Sequence, residues 1–88
     1  MQFRYSQTWL NSGDTVVMDS NYACNFMVMD SINFMAYKSG RSFRYYGGHF
    51  SHFPAGITVP HSGNFYVVVD LGGRRGMLSY NLKVLKAA

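Results

Sequence analysis

The chain has 88 residues, 48% of them hydrophobic and 14% charged, with a net charge of +4. That length makes one domain with a modest core, and that apolar content excludes a disordered chain. A single cysteine, Cys24, excludes an internally disulfide-stapled secreted scaffold. No apolar run approaches the ~20 residues that cross a bilayer, and the opening stretch lacks the apolar core of a signal peptide, so a cytoplasmic location is expected.

Gln2 to Leu10 alternates, with Phe3, Tyr5 and Trp9 on one parity and Arg4, Ser6 and Thr8 on the other, which predicts a strand with one apolar face. Asn11 to Asp14 reads as a turn, Thr15 to Asp19 as a second strand, Ser20-Asn21 as another turn. Ala23 to Asp30 is the third strand. Cys24, Phe26 and Val28 share one face, and Asn25, Met27 and Met29 make a half-apolar opposite face that predicts cover on both sides. Ser31 to Gly40 breaks the alternation. Ile32, Met35 and Ala36 recur at helical spacing, Ser31 can cap the start and Gly40 can close the end, so a short helical turn or loop is expected there. Ser42 to Tyr46 then reads as a short strand, Gly47-Gly48 as a turn, His49 to Phe53 as a strand stopped by Pro54, and Ile57 to Val59 as another before Pro60. Asn64 to Leu71 is the clearest strand, with Phe65, Val67, Val69 and Leu71 facing one way. Gly72 to Gly76 turns the chain, with Arg74-Arg75 a hairpin turn first and an anion site second. Met77 to Lys86 closes it with Leu78, Tyr80, Leu82 and Val84 inward. Short strands separated by Gly and Pro turns predict an all-β fold, a small antiparallel sandwich of jelly-roll type or a small barrel.

Several motifs resemble a bacterial family of short all-β domains of unknown function. They are Asn33-Phe34, Tyr37 to Arg41, Arg44 to His49, Val59 to Gly63 and Val68 to Gly73. The resemblance spans most of the chain. It departs at Cys24-Asn25-Phe26, where the family pattern has an Asn-Val-Arg-like segment. It implies a small β-sandwich, sometimes found beside Toll/interleukin-receptor-like domains, and no known activity. The last strands are also similar to sandwiches of the pre-peptidase C-terminal type.

The residues that could carry chemistry mostly have structural readings. His49 and His52 are three apart, a spacing that chelates from a helix but falls on opposite faces of a strand, so no metal site is expected. The four acids Asp14, Asp19, Asp30 and Asp70 all sit at strand ends or turns. Asp30 and Asp70 are expected to form structural ion pairs with an arginine of the central stretch rather than to do acid–base work. Cys24 is expected to be a buried small hydrophobe. No nucleophile elbow or phosphate loop is present.

The strongest signal lies between Phe34 and Phe50, where basic residues interleave with rings. Tyr37, Lys38, Arg41, Arg44, Tyr46 and His49 are the candidate ligand-binding residues. Arginine offers a planar fork to an anion, and tyrosine offers a face and a hydroxyl. In a strand Arg44 and Tyr46 would share a face opposite Phe43 and Tyr45. They could equally well knit a turn to an aspartate. The expected function is a non-enzymatic binding module for an anionic small molecule or a protein partner, without cofactor or metal. Self-association is expected from the aromatic surplus, 17% of residues. The rivals are single-stranded nucleic-acid binding, a small enzyme or enzyme subunit, and carbohydrate binding.

Overall fold

A computed structural model of the protein describes residues 3–72 and 79–87. Among these described residues seven strands and one helix follow in chain order. They are β1 (Phe3–Leu10), β2 (Thr15–Ser20), β3 (Cys24–Met29), α1 (Ser31–Lys38), β4 (Tyr46–Phe50), β5 (Ala55–Thr58), β6 (Gly63–Asp70) and β7 (Tyr80–Leu85). All strand pairs are antiparallel. A four-stranded sheet in the order β1-β6-β3-β4 lies over a three-stranded sheet in the order β5-β2-β7. The fold is a small all-β sandwich. The predicted turn over Gly73 to Gly76, and Gln2, Met77 and Leu78 of the predicted terminal strands, lie outside the described residues.

The period-two pattern explains the sandwich core. Val16 and Met18 of β2, Cys24, Phe26 and Val28 of β3, and Phe65, Val67 and Val69 of β6 point between the sheets and are buried. Full burial of a ring such as Phe26 or Phe65 contributes about 2–3 kcal/mol. On β7, Tyr80 and Leu82 pack against this core while Val84 stays exposed at the sheet edge.

The four-stranded sheet is covered on its other face as well, which accounts for the half-apolar second face of β3. Met27, Met29 and Val68 meet Phe34 and Tyr37 of α1 in a second buried cluster. Phe3 and Tyr5 of β1 lean against the same helix, their rings 6.1 and 4.8 Å from that of Phe34. The apolar parity of β1 therefore serves the helix, while its other parity sends Leu10 into the core between the sheets.

Helix α1 begins one residue earlier than Ser31 capping would have it. Asp30 is the N-cap, its Oδ1 accepting from the Asn33 N–H at 2.9 Å and from Asn33 Nδ2 at 2.8 Å. A carboxylate accepts these bonds more strongly than a serine hydroxyl does, and such a cap stabilises a helix by about 1 kcal/mol. Gly40 closes the helix as expected, at φ +72°. Its N–H donates to Tyr37 O and the Arg41 N–H donates to Ala36 O, the paired bonds of a Schellman motif.

Two strand expectations are corrected just beyond this cap. Ser42 to Tyr46 is not a strand: residues 42–45 run without a ladder and β4 starts at Tyr46. The Arg44 N–H, which a ladder would have used, donates instead to Asn33 Oδ1 at 2.7 Å. Phe43 sets its ring edge on Tyr37. Gly47-Gly48 is not a turn but lies inside β4, opposite Met27 and Phe26. A Cβ at Gly47 would collide with the Phe26 carbonyl and the Ile57 side chain, so this glycine permits close approach. The strand expected over His49 to Phe53 accordingly ends at Phe50, and His52 lies in the turn before β5.

Candidate ligand-binding cleft

Residues Arg44 and Tyr46 of the basic-aromatic stretch meet at one end of the four-stranded sheet, in a cleft of about 650 Å³. Its lining is Met29 and Asp30 at the end of β3, Asn33 of α1, Arg44 and Tyr45 of the connecting segment, Tyr46 of β4, His61, and Phe65 of β6. Met29 and Phe65 border it from opposite faces of the sheet, Met29 from the cluster under α1 and Phe65 from the core between the sheets, and both are almost wholly buried. Local sequence places each polar member of the lining. Asp30 and Asn33 are one helical turn apart, and Asn33 holds the backbone of Arg44. Tyr46 starts the strand paired with Val28, and His61 sits between Pro60 and the start of β6.

Within the cleft, Tyr46 Oη lies 3.3 Å from His61 Nε2, and His61 Nδ1 lies 3.3 Å from the Ser62 carbonyl. The His61 ring packs 5.3 Å from that of Phe65, and the Tyr46 ring 6.5 Å from it. Arg44 is exposed, and among the described residues its guanidinium forms no ion pair. Oδ1 of Asp30 is engaged by Asn33. A cationic fork, two phenols and an imidazole thus line the cleft, with a carboxylate at one wall. That arrangement can take a ring beside Tyr46 and His61, an anionic group at Arg44 and a hydroxyl or amine near Asp30. The volume falls in the usual range for small-molecule sites, about 300–1,000 Å³.

The other candidate residues lie elsewhere. Tyr37 is buried under α1, where its hydroxyl donates to Asp70 Oδ2 at 2.5 Å. Burial first, and the bond and charge of Asp70 after it, raise the Tyr37 phenol above its ordinary value of 10.0. Lys38 stands over the outer face of the Phe34 ring, its Nζ 4.9 Å from the centroid. Arg41 is exposed just past the helix cap. His49 is exposed on β4, directly across from Asn25. His61, which belongs to the cleft, was not among the candidates. Its only sequence signal is a turn position after proline, fifteen residues from the tyrosine it touches.

The two aspartates expected to pair with arginine have other partners. Asp30 caps α1. Asp70 is buried at the end of β6 and accepts from Tyr37, from Asn25 Nδ2 at 2.7 Å and from the Gly72 N–H at 2.8 Å. Neutral donors thus replace the expected guanidinium. Asp14 is buried in the turn after β1, where Asn11 N–H and Ala87 N–H donate to it and Lys86 lies 3.6 Å away. The backbone bonds from Ala87 and Asn11 lead in holding its carboxyl below the ordinary 3.8, with Lys86 adding to them against the opposing effect of burial. Among the described residues no group of three or more His, Cys, Asp or Glu is placed to hold a metal ion. No helix among them is long and apolar enough to cross a membrane.

Comparison with known proteins returned no match among curated proteins and none among solved structures. The sequence model of the family described as a domain of unknown function, DUF1883, matches residues 1–88, and the chain belongs to that family.

Proposed function

We propose that this member of the DUF1883 family is a non-enzymatic, cytoplasmic binding module. Its ligand is a small anion that carries a ring, of the chemical type of a nucleoside phosphate. The observation that carries the reading is the convergence of Arg44, Tyr45, Tyr46 and His61 in a cleft of about 650 Å³. Arg44 offers two parallel N–H donors to a phosphate or carboxylate, the rings offer stacking surface, and Asp30 offers an acceptor to a sugar hydroxyl or ring amine. A non-enzymatic role is favoured because these groups bind charge and rings, while the chain's one thiol, Cys24, is buried at the far end of β3 from Met29.

Isothermal titration of the protein with nucleoside mono- and diphosphates, the parent nucleosides and inorganic phosphate tests this. Nucleotide is expected to bind at least about tenfold more tightly than nucleoside or phosphate alone, and Arg44→Ala to remove that gain. No heat with any of them, from well-folded protein, overturns the reading. Anisotropy of labelled single-stranded DNA and RNA at two salt concentrations examines the main rival. Binding that weakens steeply with salt and is lost in Arg44→Ala would place nucleic acid first.

A further inference from the structure

Strand β1 forms one edge of the four-stranded sheet, and among the described residues nothing pairs with its outer side. All eight of its residues pair with β6 in unbroken register, from Phe3 opposite Asp70 to Leu10 opposite Gly63. Natural edges of this length are usually blunted by proline, bulges, central charges or a covering element. This one, FRYSQTWL, has no proline and no bulge, and its single charge, Arg4, lies near one end. Its middle is open: Ser6 and Gln7 are exposed, and the large rings of Tyr5 and Trp9 are 56% and 57% exposed.

We propose that β1 is a dimerisation strand. It pairs antiparallel with β1 of a second copy about a two-fold axis through Gln7, joining two four-stranded sheets into one continuous sheet. The sequence of the strand selects this occupant and this register. Residues directly opposite in an antiparallel pair share a face, so an axis normal to the sheet pairs residues of like parity. Centred on Gln7, the pairing sets Tyr5 against the second copy's Trp9, and Trp9 against its Tyr5, on the helix-bearing face. On the other face Ser6 meets Thr8, and Arg4 meets Leu10 rather than its own like charge. Centred on Ser6, it would set Tyr5 against Gln7 and leave the two most exposed rings of the strand apart. The strand is thus complementary to itself, which a two-fold contact requires and a foreign peptide would not explain.

Sedimentation equilibrium of the full chain from micromolar to millimolar concentration tests the proposal. The wild type is expected to be a concentration-dependent dimer. Gln7→Lys places two ammonium groups face to face on the axis and is expected to weaken association at least about tenfold. Its thermal unfolding when dilute should match that of dilute wild type, since Gln7 is exposed. Gln7→Cys should form a disulfide-linked dimer on mild oxidation, whereas Thr8→Cys, whose copies are not opposite each other, should not. A wild type that stays monomeric overturns the proposal, and so does a dimer that survives Gln7→Lys or fails to cross-link through Gln7→Cys. Capture of an added extended peptide by a monomeric wild type would make β1 a strand-addition site for another chain, and would overturn it equally.

Discussion

At one end of the β3–β6 pair, the Asp70 carboxylate is 5% exposed and takes donors from Tyr37, Asn25 and Gly72. At the other end, Arg44 stands in water without an ion pair among the described residues, and Tyr46 and His61 meet at 3.3 Å in the cleft. Both groups contain a tyrosine hydroxyl, and helix α1 adjoins both. They differ in closure. Both carboxylate oxygens of Asp70 accept from neighbours, and the bond from Tyr37 ties α1 to the sheet. The cleft turns the Arg44 guanidinium outward, and that charge does little for the fold. Residue type does not separate a latch from a site; burial and the satisfaction of hydrogen bonds do.

Substitutions can break or sharpen that contrast. The largest expected effect is at the latch. Asp70→Ala leaves the buried Tyr37 hydroxyl and the Asn25 amide without an acceptor, and should lower stability by about 3 kcal/mol in urea unfolding. A loss below about 1 kcal/mol would mean that water replaces the carboxylate and that the cluster is as open as the cleft.

Tyr37→Phe keeps the ring contacts and removes one charge-assisted bond, for an expected loss of about 1.5–2 kcal/mol. The difference between wild type and this variant should be constant below pH 10.0 and shrink above it. The reason is that the unfolded phenol ionises there while the folded one, its pKa raised, still holds its proton. Melting curves of both proteins between pH 8 and about 11 read this directly.

Asp30 belongs to both sides of the comparison, as a helix cap and as a wall of the cleft. Asp30→Ala should cost about 1 kcal/mol in stability while also changing selectivity among ligands that differ in a hydroxyl. Arg44→Ala should change stability by less than about 0.5 kcal/mol, because its side chain is exposed, yet remove the nucleotide's advantage over its nucleoside in titration. Equal effects of Arg44→Ala and Asp70→Ala on melting would collapse the distinction. A separate acid-side trend is expected at Asp14, whose carboxyl is held low by its backbone donors. Its contribution is present above the ordinary aspartate value of 3.8 and is lost as pH falls through the lower folded-state value. Melts of wild type and Asp14→Asn on acidification should therefore converge.

Much of the sandwich was legible because one face of each strand must be apolar. The alternation in β2, β3 and β6 places Val16, Phe26 and Phe65 in the core without reference to any partner. The cover on the second face of β3 was legible in Met27 and Met29 for the same reason. What failed depended on contacts between distant segments. Gly47-Gly48 reads as a turn until Ile57 and the Phe26 carbonyl are seen to crowd Gly47. Ser42 to Tyr46 has strand composition, but the Asn33 side chain captures the Arg44 N–H. The site was half legible for the same reason. Arg44 and Tyr46 stand near each other in sequence, whereas His61 and Phe65 join them only through the order of strands in the sheet.

The solitary thiol of Cys24 has a practical consequence. Its side chain is buried between the two sheets, opposite Phe50. A chromogenic disulfide reagent can therefore reach the sulfur only when the sheets part. The ratio of its labelling rate to that of an unstructured thiol measures the opening equilibrium under native conditions, without denaturant. The molecule thus carries its own clock for sheet separation. Slower labelling with an added nucleotide, or on raising protein concentration, would report ligand binding and strand pairing by one chemical readout, through a sulfur that lines neither surface.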